Sequence, residues 1–246
     1  MNSKSLSGLL SVLVLGAGCL VGSAEATDLF DYNFEAAGAG GATTIPAPPW
    51  QMSSEVFSSA GAYLGGYYPG FTFGPNAIVS GESGAAQGTY VGKIWPNYDY
   101  APDWTNNKIA TISLYVNRVL TSGDIAQGRI EMTFDSKLQP DIGPSSTATG
   151  WVKLFSSNYS QFWGSDTVTL SGSEWTTRTV GMNLDPNDPN LIGANFQWGF
   201  TVGAQNYSAN GLFVDNVTVS AVPEPSAYAL AVVGVVGLGA LRRRRG

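Results

Sequence analysis

The chain has 246 residues, with 31 Gly, 13 Pro, one Cys and no His, and a formal net charge of −6. Without His there is no Ser-His-Asp triad, no Cys-His dyad and no imidazole metal site, and one Cys closes no intramolecular disulfide and builds no thiolate zinc site. The low share of charged residues, 12%, and the many glycines fit a small, mildly acidic body more than a nucleic-acid binder.

In chain order, the first element is an export signal. Lys4 supplies its positive region, Leu6 to Val21 its apolar stretch, and Ala24-Glu25-Ala26 a small-x-small cleavage site that makes Thr27 the first mature residue. Cys19 falls inside the discarded peptide, so signal peptidase is an expected partner and the mature chain has no cysteine. A body follows over residues 27–221. Setting aside Lys4, the four terminal arginines, Glu25 and Glu224 leaves seven bases against sixteen acids, a charge near −9. That charge argues against nucleic acid.

The body alternates apolar and polar residues in the manner of strands. Strands are predicted over Leu29–Phe34, Thr89–Trp95, Lys108–Val116, around Ile130-Met132-Phe134, Trp151–Phe155 and Val168–Leu170. Trp175–Val180, Asn195–Val202 and Leu212–Ser220 complete the set. The stretch from Ala36 to Gly88 is rich in small residues and predicts long loops or short edge strands. Turn residues punctuate the rest, as in Asp185-Pro186-Asn187-Asp188-Pro189-Asn190. No segment carries a helical apolar period. About nine short strands predict an all-β, antiparallel β-sandwich of jelly-roll type.

Three groups of side chains draw interest. Trp95, Tyr98, Tyr100 and Trp104 share one Pro-containing loop with two acids; they either stack on sugars or cap the sandwich core. Tyr63, Tyr67, Tyr68, Phe71 and Phe73 form a second aromatic cluster with the same two readings. In the last strand, alternation puts Phe213, Asp215, Val217 and Val219 on one face, with Asp215 inward among apolar residues. A carboxylate there needs a cation or hydrogen-bond donors, from a nearby turn or from Arg178. Glu35, directly after Phe34, is a similar acid in the first strand. No two acids form a tight catalytic pair of the kind glycoside hydrolysis uses, so no catalytic residue is assigned and no enzyme is expected.

Asn33-Phe34-Glu35 and Val214-Asp215-Asn216-Val217 resemble the opening and closing strands of jelly-roll carbohydrate-binding modules with a galactose-binding-like fold. That resemblance implies that the two ends pair, that Glu35 and Asp215 can hold a structural Ca²⁺, and that polysaccharide is a partner.

The last 25 residues, 222–246, read as a second address. Val222-Pro223-Glu224-Pro225-Ser226 leads into an apolar run, 227–241, and then Arg242, Arg243, Arg244 and Arg245. The run predicts a short membrane helix with its arginines on the cytoplasmic side. Proline pair, helix and basic end resemble the PEP-CTERM sorting domain, a segment also labelled the ice-binding protein C-terminal domain. The resemblance implies recognition of Pro223, Glu224 and Pro225 by an exosortase, transient anchoring in the inner membrane, and release to the cell surface or an exopolysaccharide-rich biofilm. The expected roles of the body are structural or adhesive, or binding of exopolysaccharide, with glycan hydrolysis the least favoured.

Overall fold

A computed structural model describes residues 26–41, 49–66, 77–96, 108–140, 146–205 and 211–223. Residues 27–222 form one compact unit. Its strands are β1 (Thr27–Tyr32), β2 (Gln51–Ser58), β3 (Tyr63–Gly66), β4 (Ala77–Ser80), β5 (Tyr90–Ile94) and β6 (Lys108–Val119). They continue with β7 (Gly128–Leu138), β8 (Thr147–Phe155), β9 (Phe162–Thr169), β10 (Thr176–Asn183), β11 (Asn195–Gln205) and β12 (Leu212–Pro223). Two short helices, α1 (Glu35–Ala39) and α2 (Ser122–Ala126), interrupt them.

The strands form two six-stranded sheets. One has the order β10-β7-β12-β5-β4, with β1 also against β12; the other runs β3-β2-β6-β11-β8-β9. The long central ladders, β11 with β6 and with β8, are antiparallel. An all-β antiparallel sandwich is therefore observed. No helix among the described residues is long and apolar enough to cross a membrane; the predicted C-terminal helix and Arg242–Arg245 lie outside those residues, as does the N-terminal signal.

The apolar alternation explains the sandwich. Phe196, Trp198, Phe200 and Val202 of β11 and Ile112, Leu114 and Val116 of β6 all enter one core, facing Ile130, Met132 and Phe134 of β7. Aromatic rings join the two sheets: Phe134 meets Phe200 edge-on at 4.9 Å, and Phe30 meets Trp198 at 5.3 Å. Such pairs add about 0.5–1.5 kcal/mol each beyond their buried area.

Several sequence expectations need correction. The stretch 36–88 holds an eight-residue internal strand, β2, as well as edge strands β3 and β4. Glu35 is not a strand residue but opens α1, because Phe34 before it turns left-handed with φ of 51°. That conformation is costly for a bulky residue. It persists because the Phe34 ring is buried, stacked on Trp50 at 6.2 Å and edge-on to Tyr32 at 4.8 Å. Gly92 leaves room for the ring, since a Cβ there would lie 2.6 Å from Phe34 Cζ.

Candidate functional site

β12 has two different neighbours along one edge. Its first half pairs with β5, Leu212 opposite Ile94 through Val214 opposite Gly92. Its second half pairs with β1, Val217 opposite Tyr32 through Ala221 opposite Thr27. Asp215 and Asn216 fall between the two registers. Asn216 has φ of 49°, and this left-handed residue breaks the alternation. Leu212 and Val214 enter the core together with Val217, Val219 and Ala221. The expected sharing of one face by Phe213, Asp215, Val217 and Val219 is thus wrong: the extra residue shifts the phase, and Asp215 lies on Phe213's side, opposite Val214.

Asp215 is nevertheless fully buried, at 0% exposure. Neither carboxylate oxygen accepts a well-formed hydrogen bond; only the adjacent Asn216 N–H leans toward it. No ion pair joins it to Arg178 among the described residues. Burial pushes the Asp215 carboxyl up to about 7, with the charges of Glu35 and Asp135 adding to the effect. An unpaired buried carboxylate is costly, and it either takes up a proton or holds a cation.

The groups around it are tied down. Glu35 accepts from the backbone N–H groups of Thr89 (2.6 Å) and Tyr90 (2.7 Å), clamping α1 to the start of β5. Gly88, with φ of +64°, lies against this carboxylate: a Cβ there would sit 2.8 Å from Glu35 Cδ. Asp135 is satisfied by Gln87 (2.8 Å), Asn216 (2.9 Å) and Thr177 (2.6 Å). Burial pushes Asp135 up, but these donors outweigh it and hold the carboxyl below its usual value. Asn216 also donates to Ala86 O at 3.0 Å. The charge of Glu35 acts on Asp215, so acids from opposite ends of the body lie within electrostatic reach of one another. No set of three or more Asp, Glu, His or Cys close enough to hold a metal occurs among the described residues.

Of the aromatic loop, only Trp95 is described; Tyr98, Tyr100 and Trp104 lie outside, as do Tyr67, Tyr68, Phe71 and Phe73. Trp95 is half-buried after β5, with the Lys93 ammonium 4.4 Å from its ring centre. Tyr63 is exposed on β3 and packs edge-on against Phe57 at 5.9 Å.

Sequence reasoning overlooked the outer face of the β3-β2-β6-β11-β8-β9 sheet. Trp151 Nε1 donates to Thr201 Oγ1 at 2.8 Å, and Thr201 bonds Ser113 at 2.7 Å. Lys153 lies over the Trp151 ring at 4.0 Å, and burial pushes its ammonium below the usual value, with Glu55 opposing. Trp151 is buried under these neighbours and offers no open ring. Besides Tyr63, open rings lie at and just before β9: Tyr159, Phe162 and Trp163 are 48%, 57% and 38% exposed. These rings are close in sequence, and Phe155 of β8 packs against Tyr159 at 5.6 Å and Phe162 at 5.4 Å; their exposure is what only the fold reveals.

Comparison with known proteins adds one assignment. Residues 221–245 match the PEP-CTERM protein-sorting motif. The motif marks a secreted protein that is sorted via the membrane with exosortase processing. No curated protein matches the sequence. Among solved structures, a carbohydrate-binding module of the β-sandwich superfamily is similar at 14% identity, covering 78% of this chain and 61% of its own, with a TM-score of 0.44. A Stig cyclase from Fischerella sp. TAU is 17% identical over 81% of this chain and 99% of its own, with a TM-score of 0.49. The family 11 carbohydrate-binding module of a Clostridium thermocellum cellulosomal cellulase is 14% identical over 82% and 98%, with a TM-score of 0.40.

Proposed function

We propose that the protein is an exported, non-catalytic β-sandwich, released by an exosortase to the cell surface or extracellular matrix, where it serves a structural or adhesive role. The observation supporting this best is the continuity of fold and motif. β12 ends at Pro223 and the sorting motif spans 221–245, so the recognition residues Pro223, Glu224 and Pro225 begin where the sandwich stops. Cleavage beyond Pro223 leaves every ladder of the body whole. Fractionation of cells with an antibody to the body tests the reading. The expected result is a shortened chain in the surface or extracellular fraction, retained as precursor when Pro223, Glu224 and Pro225 are all changed to Ala. Full-length chain confined to the cytoplasm overturns it.

Among the described residues Asp215 is the one buried carboxylate without a hydrogen-bond partner, and Ca²⁺ is the cofactor proposed for it. Glu35 and Asp215 would hold it, and the ion would supply the positive charge that Asp215 otherwise lacks, joining the two ends of the body. Its role is stability, not chemistry.

A second reading, binding of exopolysaccharide, is favoured by the open rings of Tyr159, Phe162 and Trp163. Exposed aromatic faces and placed polar groups are the combination that holds sugars. Retention on polysaccharide in a pull-down supports it; loss of all glycan binding removes it and leaves the structural role.

A further inference from the structure

We propose that the cleft between β9 and the loop after β10 is a binding site for a neutral pyranose unit of a polysaccharide. The inference rests on the glycan-binding reading and gives it a place. The cleft has a volume of about 430 Å³, within the range of small-ligand sites. Its floor is apolar: Leu154, Leu184 and Leu191, all buried, line it. Trp163 forms one wall, and its ring is held because Nε1 donates to Gln161 Oε1 at 3.1 Å.

The facing wall comes from a doubled triplet. Asp185-Pro186-Asn187 and Asp188-Pro189-Asn190 repeat the same three residues, and each triplet folds the same way. Asp185 Oδ1 accepts from Asn187 N (2.9 Å) and Nδ2 (3.3 Å). Asp188 Oδ1 accepts from Asn190 N (2.9 Å) and Nδ2 (2.9 Å). The prolines fix the backbone between them. Each carboxylate is thereby pinned by one oxygen, and among the described residues neither Oδ2 makes a hydrogen bond. Both carboxylates line the cleft.

This arrangement selects its ligand class. A pyranose has an apolar C–H face for Trp163 and hydroxyl hydrogens for the two Oδ2 atoms. A uronate or sulfated sugar would meet two carboxylates in a cleft that, among the described residues, no Lys or Arg lines. A metal would find two carboxylates and no third acid, His or Cys among the described residues.

Isothermal titration of the full-length protein with neutral hexasaccharides (gluco-, xylo-, manno- and galacto-) and with oligogalacturonate tests the site. At least one neutral oligosaccharide is expected to bind, with affinity falling about tenfold in Trp163→Ala and measurably in Asp188→Asn. Leu64→Ala, on an exposed residue of β3 at the opposite edge of the sheet from β9, is expected to bind as the wild type does, and an unchanged melting temperature shows that each variant folds. Neutral-sugar binding that is unaffected by both Trp163→Ala and Asp188→Asn overturns the cleft while leaving the glycan reading intact. No binding to any glycan overturns both. Binding of oligogalacturonate alone, or of Ca²⁺ lost in Asp188→Asn without sugar binding, overturns the ligand class.

Discussion

Asp215→Asn should make the calcium-free protein more stable at neutral pH and indifferent to calcium. In the folded chain the Asp215 carboxyl sits at about 7, against an ordinary value of 3.8. Folding therefore favours the protonated form. The contribution of Asp215 is full below about pH 4, falls as pH rises through the window between 4 and 7, and levels off above it. A gap of about three units corresponds to roughly 4 kcal/mol at neutral pH. For a body of this size that is about 8–16 °C in melting temperature. Calcium bound to the carboxylate replaces the proton, so it should recover most of this loss at pH 7 and little at pH 4.5. Asn keeps the shape and removes the charge, which flattens the profile and abolishes the calcium response. Thermal melts followed by circular dichroism from pH 4 to 8, in chelator and in millimolar calcium, read all of this. Asp124 and Asp135 shape only the acid side. Their carboxyls lie below the ordinary value, so their contributions are present above about pH 4 and are lost as pH falls further. A wild-type melting temperature that stays constant, or rises, between pH 4.5 and 7.5 in chelator would refute the argument. So would an Asp215→Asn variant with the wild-type slope.

Other substitutions probe the supports of the same fold. Gly88→Ala puts a Cβ against the Glu35 carboxylate at a left-handed position; a loss of about 1–3 kcal/mol is expected in urea unfolding. Thr121→Ala removes the hydroxyl that accepts from Asp124 N in the capping box of α2, and about 1 kcal/mol should go with it. Phe134→Ala, which empties the meeting point of β7 with Phe200, should cost about 3–5 kcal/mol. Each is read as a shift in unfolding midpoint with unchanged slope.

The long strands were legible because their pattern is uniform. Phe196, Trp198, Phe200 and Val202 alternate without a break, and β11 lies between two partners as such a strand should. β2 was not, because Ser53, Ser54 and Glu55 interrupt its apolar residues and its pairing to β6 comes from nearly sixty residues away. α1 is too short to show a period. Glu35 and Asp215 were visible as acids beside apolar residues, yet the left-handed turns at Phe34 and Asn216 that set their directions depend on tertiary packing. Likewise the doubled Asp-Pro-Asn triplet reads as a turn in one dimension. That Asp185 and Asp188 share a cleft with Trp163 appears only once β9 and the loop after β10 are folded against one another.

The position of β12 also has a mechanical meaning. Its C-terminal half is flanked by β7 on one side and by β1 on the other, with Thr27 opposite Ala221. In the proposed reading the sorting segment holds the chain before release, and a drag on the sandwich then loads β12 from its C-terminal end. The bonds to both neighbours are then strained together in shear, not peeled one at a time as at a sheet edge. Tension is carried straight into the middle of the sheet, and it meets the fold where many hydrogen bonds must fail at once.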